Sequence, residues 1–213
     1  MQHHCGASLQ RIQWELVGCI VGSVLLVNAP LLSLMKPLLR ARRHGMHILG
    51  ALGRTVLISK FGEYYRLAGY LSRYTSEMVG LVMGVPSLME IFDEKYYLNL
   101  EGGILEALGR MFKGAFKLYV YPMIDEVTGG IIAAHEIEVA PNLKALFRFI
   151  VDNNFIVEIT DYHPEYLKIF PPDALVKLQN GDRDWEKMVP IEVSQIIKER
   201  GFFGYKGSPA AAA

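Results

Sequence analysis

Apolar residues follow two different periods along this chain, and the change from one to the other predicts where strands end and helices begin. Residues 55–59, TVLIS, form a continuous β-branched and leucine run. Directly after it, Phe61, Tyr64 and Ala68 recur at helical spacing. The first pattern is typical of a buried strand and the second of an amphipathic helix. The sequence therefore predicts a strand over Thr55–Ser59 and a helix over Phe61–Tyr74.

The same alternation continues as far as residue 159. Further strands are predicted over Val79–Met83, Lys117–Tyr121 and Phe155–Ile159. Helices are predicted over Leu88–Phe92, after Gly102-Gly103, and from Pro141 to Asn153, while residues 131–139 fit either a hairpin arm or an extended loop. Strands that alternate with crossover helices build a parallel sheet with helices on its faces. We therefore expect an α/β fold with a short, mostly parallel, Rossmann-like sheet and flanking helices.

The last fifty residues carry helix boundaries without strand patterns. Prolines 164, 172 and 190 are suited to helix starts, and Gly181 and Gly201 to helix stops. Trp185 is predicted to pin these C-terminal helices to the sheet.

A hydrophobic segment precedes the α/β pattern. Leu16 to Met35 is a run of twenty residues without a formal charge, followed by basic residues from Lys36 to Arg43. About twenty apolar residues are needed to cross the hydrocarbon core of a bilayer, and a basic flank faces the cytoplasm. The run predicts a single transmembrane helix, with the C-terminal domain on the cytoplasmic, matrix or stromal side. An organelle inner membrane would suit this orientation.

Two residues in that run favour a different reading. Asn28 is costly in lipid, and Pro30 interrupts the hydrogen-bond ladder of a helix. The alternative is a buried helix pair bent at Pro30 and packed on the domain or on a partner.

The predicted organisation is a tail over 1–15, a transmembrane segment and basic connector over 16–45, an α/β domain over 46–206 and a flexible tail over 207–213.

Charge and cysteine content exclude several function classes. The 22 basic residues balance the 22 acidic residues, so no overall charge attracts nucleic acid. Cys5 and Cys19 have no C-x-x-C partner, which predicts neither a disulfide framework nor a structural zinc site. His135 lacks a second histidine at metal-ligand spacing. We expect no metal and no cofactor.

Candidate ligand-binding residues follow the predicted strands. Ligands of open α/β sheets bind beyond the carboxyl ends of the strands, where helix N-termini attract anions. The residues at these positions form one candidate crevice: Ser59, Lys60, Tyr64, Gly84, Ser87 and Tyr121. Ser87 is also placed to cap the helix that follows it. No glycine-rich phosphate-binding motif accompanies them, so ordinary turns between strand and helix are the alternative. No catalytic residue can be assigned.

Several blocks of the sequence resemble a bacterial family commonly labelled nicotinate-nucleotide adenylyltransferase. The resemblance covers about residues 46–206 and rests on the blocks LGALGRTVLISKFGEYYRLAGYLSRYT, GVPSLMEIFDEKYY, GGILEALGRMFK, KLYVYP, NGDRDWEKMVP and GFFGY. The H-x-G-H signature of nucleotidylyl transfer and the long N-terminal region of such relatives are missing from this sequence. The resemblance implies descent from a larger enzyme that has lost part of its chemistry.

Two functions follow from these observations. The first is a membrane-anchored, non-catalytic accessory or scaffold subunit of a larger membrane protein complex, with other subunits and the bilayer as its partners. The alternative is an enzyme domain that binds a nucleotide or a phosphorylated metabolite in the candidate crevice, as the family resemblance implies.

Overall fold

The computed structural model is a mixed α/β fold, and it describes residues 20–21, 24–28, 36–59, 61–125 and 127–206. A six-stranded sheet has the order β3-β2-β1-β4-β5-β8. Its strands are β1 (Ile20–Val21), β2 (Val24–Asn28), β3 (Thr55–Ser59), β4 (Val79–Gly84), β5 (Phe116–Tyr121) and β8 (Ile156–Glu158). A separate antiparallel pair consists of β6 (Met123–Ile124) and β7 (Ile131–Ile132), so residues 131–132 form a hairpin arm.

The sheet is mostly parallel, as the sequence predicts. β2 runs parallel to β3, and β4, β5 and β8 run parallel to one another. β1 is antiparallel to both of its neighbours, β2 and β4. In the six-stranded sheet, all strands except β1 therefore point in one direction, and their carboxyl ends lie at one edge.

The prediction of a hydrophobic helix over residues 16–35 is wrong for the part that the structure describes. Residues 20–21 and 24–28 are strands, and β2 pairs with β3 from Val24 opposite Thr55 to Asn28 opposite Ser59. VLLVN is a short β-branched and leucine run, which periodicity alone cannot distinguish from part of a helix. Among the described residues, no helix combines the length and the apolar character needed to cross a bilayer. Residues 1–19, 22–23, 29–35 and 207–213, and the predictions made for them, lie outside the described part.

Along the chain, helices come between the strands and after the last strand. Their bounds are α1 (Lys36–Ala51), α2 (Tyr64–Leu71), α3 (Val85–Ile91), α4 (Gly103–Met111), α5 (Lys144–Asp152), α6 (Pro171–Asn180) and α7 (Ile191–Arg200). α1 occupies the segment predicted to be a basic connector. Gly181 and Gly201 end α6 and α7 in the left-handed conformation, with φ of 76° and 60°, which confirms both predicted helix stops.

The main core lies between one face of the sheet and helices α2 to α5. In β5 the side chains of Phe116, Leu118 and Val120 are buried, while those between them are half-buried. Leu81 and Met83 of β4 join them in the same cluster. This period of two places one face of the sheet against the helices.

A second, smaller core holds the C-terminal helices. Trp185, 2% exposed, clusters with Ile48 of α1, Leu178 of α6 and Ile197 of α7. Trp185 therefore joins α6 and α7 to α1 rather than to the sheet. The sequence pattern missed this because residues 36–47 were not expected to be helical.

Candidate functional site

The predicted crevice residues lie along one edge of the sheet, but they do not converge. Ser59 ends β3, Gly84 ends β4 and Tyr121 ends β5. β2 and β1 separate β3 from β4. Neighbouring strands lie about 4.8 Å apart, so three spacings put the end of β3 about 14 Å from the end of β4. One small ligand cannot contact both Ser59 and Tyr121. This separation is not visible in the sequence, because the residues of β1 and β2 lie in the hydrophobic run that predicts a helix.

Gly84 and Tyr121 do meet, and their contact leaves little room for a ligand between them. They are directly opposite each other in the parallel pairing of β4 and β5. A Cβ atom at position 84 would lie 2.9 Å from the Tyr121 hydroxyl oxygen. The phenol of Tyr121 thus fills the space that the glycine leaves open.

The other crevice residues have structural environments of their own. Ser87 is the third residue of α3 rather than its N-cap, because the helix already begins at Val85 with Pro86 in its first turn. Tyr64 is the first residue of α2 and packs against the main core. Ser59 is described only as the last residue of β3, and Lys60 lies outside the described residues.

A cavity of about 140 Å³ lies farther along the same edge, beyond the ends of β5 and β8. Five of its eight lining residues are apolar, and the other three have side chains that carry a carboxylate or a hydroxyl group. The lining residues are Val120, Pro122, Ala133, Ala134, Glu158, Ile159, Thr160 and Tyr162. This is where an open parallel sheet usually binds its ligand, but on different strands from those that the sequence analysis favoured.

A hydrogen-bonded pair of side chains, His135 and Glu158, lies at one wall of the cavity. Nδ1 of His135 lies 2.5 Å from Oε1 of Glu158, and the backbone N–H of His135 donates to the same oxygen at 2.8 Å. The hydrogen bond and the charge of Glu158 raise the pKa of His135 above its ordinary value. Oε2 of Glu136 accepts a hydrogen bond from the backbone N–H of Ala133 at 2.8 Å. These bonds fix residues 133–136 against the end of β8.

His135 and Glu158 are 23 positions apart, and the sequence analysis did not pair them. It considered His135 as a metal ligand and assigned no role to Glu158. The one available indication was the position of Glu158 near the carboxyl end of the predicted strand Phe155–Ile159, where functional side chains of α/β sheets collect. Within the described ranges, no group of three or more His, Cys, Asp or Glu side chains could hold a metal ion.

A second candidate surface is formed by Tyr70 of α2 and by one residue on either side of this helix, Phe61 before it and Tyr74 after it. The rings of Phe61 and Tyr70 have centroids 5.3 Å apart, and those of Tyr70 and Tyr74 are 5.0 Å apart. Tyr74 is 74% exposed and Tyr70 36% exposed. A hydrogen bond between the two phenols raises the pKa of Tyr70. We call these three residues the aromatic surface.

The size of the cavity limits what it can enclose. Pockets for drug-sized ligands have volumes of about 300–1,000 Å³. A cavity of about 140 Å³ is smaller than these pockets, so a whole nucleotide would extend beyond it.

Comparisons with known protein families, curated proteins and solved structures found no match for this chain. The family resemblance stated above therefore stays a prediction.

Proposed function

We propose that this protein is a non-catalytic accessory or scaffold subunit of a larger membrane protein complex, and that it contacts another subunit through the aromatic surface. The observation that supports the proposal most is the exposure of Tyr74 and Tyr70 in a row of neighbouring rings at the C-terminal end of α2. Tyrosines are enriched at protein interfaces because each buries a large rigid area at low entropic cost. The partner we expect offers an apolar patch that covers these rings.

The opposite side of α2 anchors the helix that carries Tyr70, the central residue of the aromatic surface. Tyr65, Leu67 and Ala68 are buried, and two of them belong to the main core. An aromatic side chain on a helix anchored in this way loses less freedom on binding than one on a loop. The surface is therefore suited to form a stable contact.

The second part of the proposal is that the complex lies at a membrane. The hydrophobic run from Leu16 to Met35 in the sequence supports it. Because β1 and β2 belong to the sheet, we favour attachment through other subunits over a single spanning helix. Extraction of membranes with sodium carbonate distinguishes the two arrangements. A peripheral subunit appears in the supernatant, whereas retention in the pellet would favour the predicted single-pass anchor.

Native electrophoresis of a mild detergent extract tests the accessory role. The chain has a mass of 24.0 kDa, so a complex and a free monomer migrate far apart. We expect the protein in a band of several times that mass, together with other polypeptides. Migration only as a free monomer would overturn the proposal.

A second candidate is an enzyme domain for a nucleotide or a phosphorylated metabolite. The shared carboxyl edge of β3, β4 and β5 favours it, as does the predicted Rossmann-like character of the sheet. The distance between Ser59 and Tyr121 and the small cavity weigh against it. Thermal-shift measurements with NAD precursors, ATP and magnesium test it: saturation to about a hundred times Kd adds about 2.7 kcal/mol to the free energy of unfolding. No rise in melting temperature with any of them would exclude this candidate.

A further inference from the structure

We propose that the cavity beyond the ends of β5 and β8 is a binding site for a small, largely apolar organic amine, whose ammonium group is held by the carboxylate of Glu158. This inference is independent of the accessory role, because it concerns a different part of the molecule. It would give the protein a ligand that neither of the two proposed functions names.

Glu158 has acceptor capacity to spare. Its Oε1 atom accepts from the backbone N–H of His135 and lies against the imidazole. An ionised carboxylate offers about four lone-pair positions on its two oxygens. In the part of the chain that the structure describes, Oε2 of Glu158 has no hydrogen-bond partner. A ligand with an N–H donor can therefore bind to this carboxylate without breaking the pair with His135.

Two residues that carry hydroxyl groups also line the cavity. Thr160 and Tyr162 line the same space as Glu158. An ammonium group carries three N–H donors, and hydroxyl oxygens accept hydrogen bonds as well as donate them. A primary amine is the simplest group that can use one carboxylate and two hydroxyls at the same time.

The sign of the charge follows from which groups face the cavity. Glu158 lines it, whereas His135 contacts Glu158 but does not contribute to the wall, and Glu136 bonds to the backbone of Ala133. A carboxylate or phosphate ligand would meet the charge of Glu158 directly. Like charges at close range raise the free energy of binding, so a cation is favoured over an anion.

The volume of the cavity and its apolar lining residues indicate what the rest of the ligand is like. Val120, Pro122, Ala133, Ala134 and Ile159 supply the apolar side. An engineered apolar cavity of about 150 Å³ holds one benzene molecule. A ligand with one small apolar group of about the size of benzene and one cationic end therefore matches this cavity.

Three probes of similar size test the proposal by NMR titration of the 213-residue chain. Benzylamine, benzyl alcohol and benzoate share one ring and differ in their polar group. We expect benzylamine to shift the amide resonances of Ala133, Thr160 and Tyr162 in a saturable manner. Benzyl alcohol should bind roughly tenfold more weakly, the ratio that corresponds to about 1.4 kcal/mol, and benzoate should not bind. Equal binding of all three probes, or no saturable shift in these residues, would overturn the proposal.

Substitution of Glu158 supplies the matched test. Glu158→Gln keeps the shape of the side chain and removes its charge, and we expect it to weaken benzylamine binding by at least roughly tenfold. Glu165→Gln is the control, because Glu165 also pairs with a histidine, His163, at 3.3 Å but does not line the cavity. Ala133→Leu, which fills the cavity without changing charge, should also abolish binding. Unchanged binding in either cavity variant would contradict the assignment.

Discussion

The hydroxyl group of Tyr121 lies across Gly84, so close that a Cβ atom at position 84 would be 2.9 Å from its oxygen and 3.0 Å from the ring carbon that carries it. The two residues are opposite each other at the carboxyl ends of β4 and β5. The contact explains why position 84 is a glycine. From the sequence alone, Gly84 could equally have been a place where a ligand approaches the backbone. At this position the close neighbour is a side chain of the same sheet.

Gly84→Ala should therefore destabilise the fold. The new methyl group forces the Tyr121 ring out of place, and overpacking of this kind costs about 1–3 kcal/mol. Urea denaturation followed by circular dichroism measures the change.

Gly69→Ala is the matched control for that experiment. Gly69 lies within α2, and a Cβ atom there would have nothing within 4 Å. Alanine is favoured over glycine in a helix by up to about 1 kcal/mol, so this variant should be as stable as the original or more so. A destabilisation equal to that of Gly84→Ala would show that the close contact is not the cause.

Removal of one buried hydroxyl should weaken the main core. The hydroxyl of Tyr97, a residue 6% exposed, donates to the backbone carbonyl of Ile91 at 2.7 Å. Its burial raises its pKa above the ordinary value for tyrosine. Tyr97→Phe leaves that carbonyl without its partner, which costs about 1–3 kcal/mol.

Tyr96→Phe provides the comparison for Tyr97→Phe. Tyr96 is 44% exposed, and water can replace any bond that its hydroxyl loses. We expect a change within about 0.5 kcal/mol, as for most exposed substitutions. Thermal denaturation of the two variants side by side gives the answer, and equal losses would contradict the assigned hydrogen bond.

The pair of His135 and Glu158 should make stability depend on pH. Glu158 raises the pKa of His135 in the folded chain above the unfolded value of about 6.5. The stabilisation is therefore fully present below about pH 6.5 and is lost as the pH rises through the folded-state pKa. The free energy that this pair contributes to folding is small, because the two side chains are 59% and 33% exposed and solvent screens their interaction.

An NMR titration of the His135 ring tests this pair directly. In the unaltered chain we expect a titration midpoint above that of free histidine. In Glu158→Gln the midpoint should fall, since both the charge and its hydrogen bond with the imidazolium are removed. If the midpoint does not change, the contact is not present in solution.

The sequence predicted the parallel strands well because their signals are local. Thr55–Ser59 is a strand with the predicted bounds, and the predicted strand Val79–Met83 extends by one residue to Gly84. Each is a short apolar run bounded by residues that favour turns. The helix stop at Gly181 was equally predictable, because the left-handed conformation at a helix end is one that glycine adopts without strain.

The candidate site was less predictable because it depends on contacts between distant residues. β1 and β2 belong to the twenty-residue uncharged run that was predicted to be a helix. In the sheet these two strands lie between β3 and β4, and they therefore separate Ser59 from Gly84. No spacing rule joins His135 to Glu158 across 23 positions. Local patterns thus predicted which residues end the strands at this edge of the sheet, but not the cavity farther along it.

The measurement that tests the proposed function most directly is native electrophoresis of a double variant of the aromatic surface. Tyr70→Ser with Tyr74→Ser removes the two exposed rings, and Tyr96→Ser removes an exposed ring outside that surface. We expect the double variant to leave the high-mass band and migrate as a folded monomer, while Tyr96→Ser stays in the band. If the double variant stays in the complex as fully as the unaltered chain, the aromatic surface is not the contact and the account is wrong.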